Sequence, residues 1–89
     1  METVKTTKGE IKLDFDRITG RVMINCEKAA KKKDPTISIP ALSMTYQAYI
    51  AAEAAGMNID EVLDLPAPDF TALTVMVQSF LINTEQTQS

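Results

Sequence analysis

A catalytic base in this chain has to come from its carboxylates or its lysines, because the sequence has no histidine, and it has one cysteine, Cys26. That inventory excludes a zinc cluster, a Cys/His nucleophile pair and an intrachain disulfide. A nucleophile also needs a base within reach, and no glycine-rich loop stands beside the lysines to hold a phosphate. The densest acidic group is Asp60, Glu61, Asp64 and Asp69. Asp60 and Glu61 stand where a helix N-terminus favours acids, and the loop spacing and glycine of a calcium site are missing. Lys31, Lys32 and Lys33 fall in the last turn of a helix, where cations favour the dipole. No aromatic residue interleaves with them, so the helix-end reading is preferred to a phosphate-binding one. The residues predict a non-enzymatic protein with no catalytic residue, metal or cofactor.

Charge is split along the chain. All nine bases lie within residues 1–33, against five acids, giving +4; residues 34–89 carry seven acids and no base, giving −7, for the net −3. Such a chain can attract copies of itself or steer toward a basic partner. No apolar run approaches the roughly 20 residues of a membrane span, and no signal-peptide core is visible near Met1. With its lone cysteine, the chain reads as a soluble protein of a reducing compartment.

The elements that would carry these side chains follow in order. Ile11, Leu13 and Phe15 alternate with Lys12 and Asp14 after Thr7-Lys8-Gly9, which predicts a β-hairpin over 3–15 with one apolar face. Two strands are marginal alone, so the hairpin must rest on helices or pair with another subunit; Lys5, Lys8 and Lys12 read as edge protection. Thr19 caps a helix over 20–33 with the stripe Val22, Met23, Cys26, Ala29 and Ala30, and Glu27 is placed to pair with Lys31. Asp34-Pro35 ends it, and Thr36 to Pro40 is an extended link with Ile37 and Ile39 facing the core or forming an edge strand. A second helix spans about 43–55, capped by Ser43 and stopped by Gly56; Asn58 and Glu61 form a capping-box variant for a short helix over 59–63.

Pro66 and Pro68 then punctuate Leu63 to Phe70, with Pro68 opening a last helix over 68–82. Phe70, Leu73, Val77, Phe80 and Leu81 form its core stripe, and 83–89 is expected to be a flexible tail. The fold class is α+β: one small domain over 1–82, an N-terminal β-hairpin packed on three to four α-helices. Two runs carry more apolar surface than one core face needs. The second helix spreads Met44, Tyr46 and Tyr49 around its circumference, and the flank of the last helix adds Val75, Met76 and Ile82. These six are the candidate partner-binding residues, because tyrosine and methionine are enriched at interfaces.

Taken in order, Leu13-Asp14-Phe15-Asp16, Ile18-Thr19-Gly20, Glu27-Lys28-Ala29, Pro40-Ala41-Leu42-Ser43 with Tyr46-Gln47, Ala54-Ala55-Gly56, Leu63-Asp64-Leu65-Pro66-Ala67 with Asp69-Phe70, and Gln78-Ser79-Phe80-Leu81 form an ordered set of short segments. In order and spacing, over roughly Ile11 to Leu81, the set resembles the short phage tail assembly chaperones of Mu-like and related long-tailed phages and prophages. Val22 stands where that family often has an acid two positions after Thr-Gly, so the first helix lacks a full capping box.

The resemblance implies an adaptor that binds the tape measure protein, keeps its helices soluble, helps recruit tail tube protein, and leaves before the virion matures. It implies a homo-oligomer in the cytoplasm of a bacterial host, with no nucleic acid or membrane partner, and often a longer form made by frameshifting. Two other readings are carried: a small nucleic-acid-binding regulator using the basic N-terminal third, and a structural tail component that stays in the virion.

Overall fold

The computed structural model describes residues 2–39 and 43–87, the last five by backbone alone. It is a two-stranded antiparallel hairpin on four helices: β1 (Glu2–Thr6), β2 (Gly9–Leu13), a 3₁₀ turn (Phe15–Arg17), α1 (Gly20–Lys33), α2 (Met44–Ala55), α3 (Ile59–Leu63) and α4 (Ala67–Thr87). The α+β class and the hairpin-on-helices arrangement agree with the sequence reading. Pro40-Ala41-Leu42 of the family-like set and the final Gln88-Ser89 lie outside the described residues.

The strands pair in the register Glu2↔Leu13 through Thr6↔Gly9. Neither Thr7 nor Lys8 takes a positive φ, so the turn is not of a primed type, and Gly9 supplies the positive φ of 116° where the chain turns back. Val4 and Leu13 are buried and Ile11 half-buried, so the apolar face lies against α2 and α4 while Lys5, Glu10 and Lys12 stay in water.

Local signals set the helix ends. Thr19 Oγ1 accepts the Val22 N–H (3.3 Å), and Ser43 Oγ accepts that of Tyr46 (3.3 Å). Gly56, at φ 69°, takes the left-handed position after α2, and the N–H groups of Met57 and Gly56 return to the carbonyls of Ala52 (2.9 Å) and Glu53 (3.4 Å), a Schellman ending. At α3, Glu61 Oε1 accepts the Asn58 N–H (3.0 Å), the returning arm of a capping box.

Three expectations change. The last helix begins at Ala67, one residue before Pro68: the Pro66 carbonyl accepts the Phe70 N–H (2.9 Å), and Pro68 sits within the first turn, where its missing N–H costs nothing. It also continues to Thr87, through what reads as tail, since residues 83–87 contain no glycine or proline to stop a nucleated helix. Between α1 and Ser43 the described residues form turns and no strand; Ile37 packs on the core, whereas Ile39 is exposed.

The centre of the fold is α2, which touches α1, α3, α4, β2 and the 3₁₀ turn. Tyr46, Gln47, Ala48, Ile50, Ala51, Ala52 and Ala54 are all buried. Its alanines let neighbours approach from several sides, so the large side chains spread around it face different partners inside one core. The expectation that only one face could be buried fails for that reason. Ile50, Leu13, Val62, Leu73 and Val77 are fully buried, each stabilising by about 1.5–3 kcal/mol before entropy.

Candidate functional site

The six candidate residues separate into surface and core. On α4, Val75 (51% exposed) and Ile82 (54%) are seven residues apart and therefore on one side of the helix, with exposed Thr71, Gln78 and Ser79 on the same outer stripe. The inner side holds Leu73, Val77 and Leu81. Met44, in the first turn of α2, is 60% exposed.

Tyr46 is a correction. At 5% exposure it belongs to the core, where α1 covers the side of α2 that the sequence left unassigned. Burial raises its hydroxyl pKa, followed by the charges of Cys26 and Glu27. Met76 is a second correction: it is half-buried against the core, at the boundary between the two faces of α4. Tyr49 is half-buried in a groove of about 260 Å³ lined by Ala29, Lys32 and Lys33. An aromatic ring thus stands beside two lysines that have no aromatic neighbour in sequence. Ile24 and Ile39 are exposed apolar residues outside the six. Ile24 could have been noticed, since it lies off the Val22–Cys26–Ala30 stripe of its own helix.

The acids do not form a cluster. Among the described residues no three histidine, cysteine, aspartate or glutamate side chains are grouped to hold a metal ion. Glu61 is engaged at its own helix cap, and Asp69 has a different task. It is 3% exposed, and its carboxylate accepts the backbone N–H of Thr7 (3.1 Å) and the Thr7 hydroxyl (2.7 Å). These bonds fasten the hairpin tip to the first turn of α4 across 62 residues of sequence.

At the hairpin base, the Phe15 and Phe80 rings stack with centroids 4.4 Å apart and planes 5° apart. Asp69 and Phe80 are separated by roughly 16 Å of helix, so the hairpin is held along α4 at both ends. The Asp14 N–H also donates to the Ala54 carbonyl (2.9 Å), tying the end of β2 to α2. No local pattern announces the Thr7 contact, because it depends on which turn of the chain meets which helix.

Cys26 faces α2 and is buried. Burial first, and the charge of Glu53 second, push its thiol up to about 11, so at neutral pH it stays protonated and is not a ready nucleophile. Between α2 and α4, Gln78 Nε2 donates to Oε1 of the buried Gln47 (3.2 Å). The exposed Lys31–Glu27 pair (3.4 Å) on α1 is the one salt bridge among the described residues. A second groove, of about 390 Å³, runs between β2 and α3, with Ile11, Met57 and Leu65 as its apolar lining and Lys8, Glu10, Glu61 and Asp64 as its charges.

Among the described residues no helix is long and apolar enough to cross a membrane. Comparison with family models, with curated proteins and with solved structures gives no match for this chain.

Proposed function

We propose that this chain is a non-enzymatic assembly chaperone of the phage tail type that its sequence resembles. It acts in the bacterial cytoplasm by holding amphipathic helices of a tape measure protein and assisting tail tube assembly. The observation that carries the reading is the exposed apolar pair Val75 and Ile82 on the otherwise polar outer stripe of α4, with Met44 exposed on α2. A helix that already buries Leu73, Val77 and Leu81 has no need of further large apolar side chains on its solvent side. An amphipathic partner helix would cover them by laying its own apolar stripe across α4.

Co-expression with the tape measure protein of the same genome tests this. The partner is expected to be soluble with the wild-type chain and to aggregate with Val75→Asp or Ile82→Asp, both variants remaining folded. A tape measure protein equally insoluble with and without the chain overturns the reading. Mass spectrometry of purified virions separates a chaperone, absent from the particle, from a structural tail component.

A second reading is favoured by the Tyr49 groove. A ring beside Lys32 and Lys33 combines a stacking surface with phosphate-attracting charge, as a small nucleic-acid-binding regulator requires. Its binding would weaken steeply with salt, and no binding of single-stranded DNA or RNA at low ionic strength removes it.

A further inference from the structure

We propose that β2 is a dimerisation edge: it pairs antiparallel with β2 of a second copy, centred on Ile11, to make one continuous four-stranded sheet. The inference rests on the outer edge of the hairpin and what lies beside it, and it stands apart from the chaperone reading.

The backbone comes first. Within an antiparallel pair, alternate residues of a strand turn their N–H and C=O toward the partner strand, and those between turn them away. The Asp14 N–H goes to Ala54 on α2 and not to β1. Lys12 and Glu10, two and four residues earlier, share that outward direction. Among the described residues no backbone or side-chain group meets the N–H or C=O of either one. The outer edge of β2 therefore offers donors and acceptors at two positions, beside the groove that separates it from α3. Such an edge is a template for another strand.

Charge then selects the occupant and the register. Only pairings that oppose outward-facing residues to outward-facing residues can form the ladder. Centring on Glu10 would set Glu10 against Glu10 and Lys8 against Lys12 of the second copy. Centring on Lys12 would set Lys12 against Lys12 and Glu10 against Asp14. Centring on Ile11 sets Glu10 against Lys12 twice over, each pair able to exchange both backbone bonds, with Ile11 against Ile11 between them. In that register the residues keep their faces, so the apolar sides of both hairpins lie on the same side of the enlarged sheet.

Within one chain Lys5 already stands opposite Glu10 and Thr3 opposite Lys12. The outer face of the dimer would read Lys5, Glu10, then Lys12 and Thr3 of the second copy, with no like charges adjacent. Lys12 thus acts as more than a guard against edge pairing: it repels copies in the wrong registers and attracts one in the right register. The partner strand would also cover Ile11, half-buried in the single chain, and close the Met57 and Leu65 side of the groove.

Charge reversal provides the test, read by sedimentation velocity with circular dichroism as the fold control. The wild-type chain is expected to dimerise reversibly. Lys12→Glu and Glu10→Lys should each weaken the dimer by at least about tenfold, since each turns two attractive cross-strand pairs repulsive. An equimolar mixture of the two variants should form a heterodimer, and the double variant E10K/K12E should dimerise again. Glu10→Lys faces Lys5 within its own chain, in the single and the double variant alike, so if either fails to fold, both are remade with Lys5→Glu, which restores an opposite-charge pair at that position, and compared with Lys12→Glu. Hydrogen exchange gives a second readout: the Glu10 and Lys12 amides should become protected as concentration rises, while the Ile24 amide does not change. A wild-type chain that stays monomeric at millimolar concentration overturns the proposal. So does a dimer indifferent to Lys12→Glu, or one whose Glu10 and Lys12 amides exchange as in the monomer.

Discussion

The helices α2 and α4 are both rich in apolar residues, and the fold uses them in opposite ways. α2 is short, slim and covered from several sides, so that of its large apolar side chains Met44 alone is exposed. α4 is long and lies at the edge of the packing, burying Leu73, Val77 and Leu81 on one side and exposing Val75 and Ile82 on the other. Large apolar side chains on more than one side of a helix therefore mean core in one helix and a free face in the other. What separates them is the number of neighbours, which follows from the alanines of α2 and from its place in the middle of the chain's packing.

That contrast can be broken most forcefully at the buried positions. Val77→Asp places an unpaired carboxylate at a fully buried site and should cost more than about 3 kcal/mol, a large part of a stability of about 5–15 kcal/mol. Loss of the cooperative thermal transition would show it. Ala51→Leu asks the same question of α2: if neighbours crowd the helix, overpacking should cost about 1–3 kcal/mol in urea denaturation, and a neutral result would mean that α2 has an open side.

Asp69→Ala comes next. It removes both bonds to Thr7 and leaves a buried site without its partner, with an expected loss of about 1–3 kcal/mol and faster amide exchange at the hairpin tip.

The cover on α2 also leaves a mark on pH dependence. Cys26 is raised from an ordinary 9.0 to about 11, so the folded state holds its proton where the unfolded chain has lost it. The stability this contributes is complete below about pH 9 and is lost as pH rises from about 9 to 11, at up to about 1.4 kcal/mol per pH unit. Cys26→Ala should flatten that alkaline decline in chemical denaturation. The smallest effect is expected at Val75→Asp, within about 0.5 kcal/mol of wild type, because the side chain already stands in water. A substantial destabilisation there would end the distinction between the two helices.

Where the determinant is local, the sequence carried it. Thr19, Ser43, Asn58 and Gly56 each act within a few residues, and each bounds the helix that its type and position predict. The stripe on α1 and the Glu27–Lys31 pair were legible for the same reason, as was the alternation that puts Val4, Ile11 and Leu13 on one side of the hairpin. The candidate surface was half legible. Met44, Val75 and Ile82 are exposed; Tyr46 is in the core and Met76 at its border, because helical period says which residues share a side and not how many sides will be covered.

By itself, then, the sequence determined the elements, most of their ends, the charge split and the self-complementary order Glu10-Ile11-Lys12. The tertiary structure alone decided that α2 is central, that Asp69 holds Thr7, and that Tyr49 stands beside Lys32 and Lys33. Caps and periodicities are settled by energies between near neighbours, whereas these contacts join residues far apart in the chain. Their existence depends on the packing of every element at once.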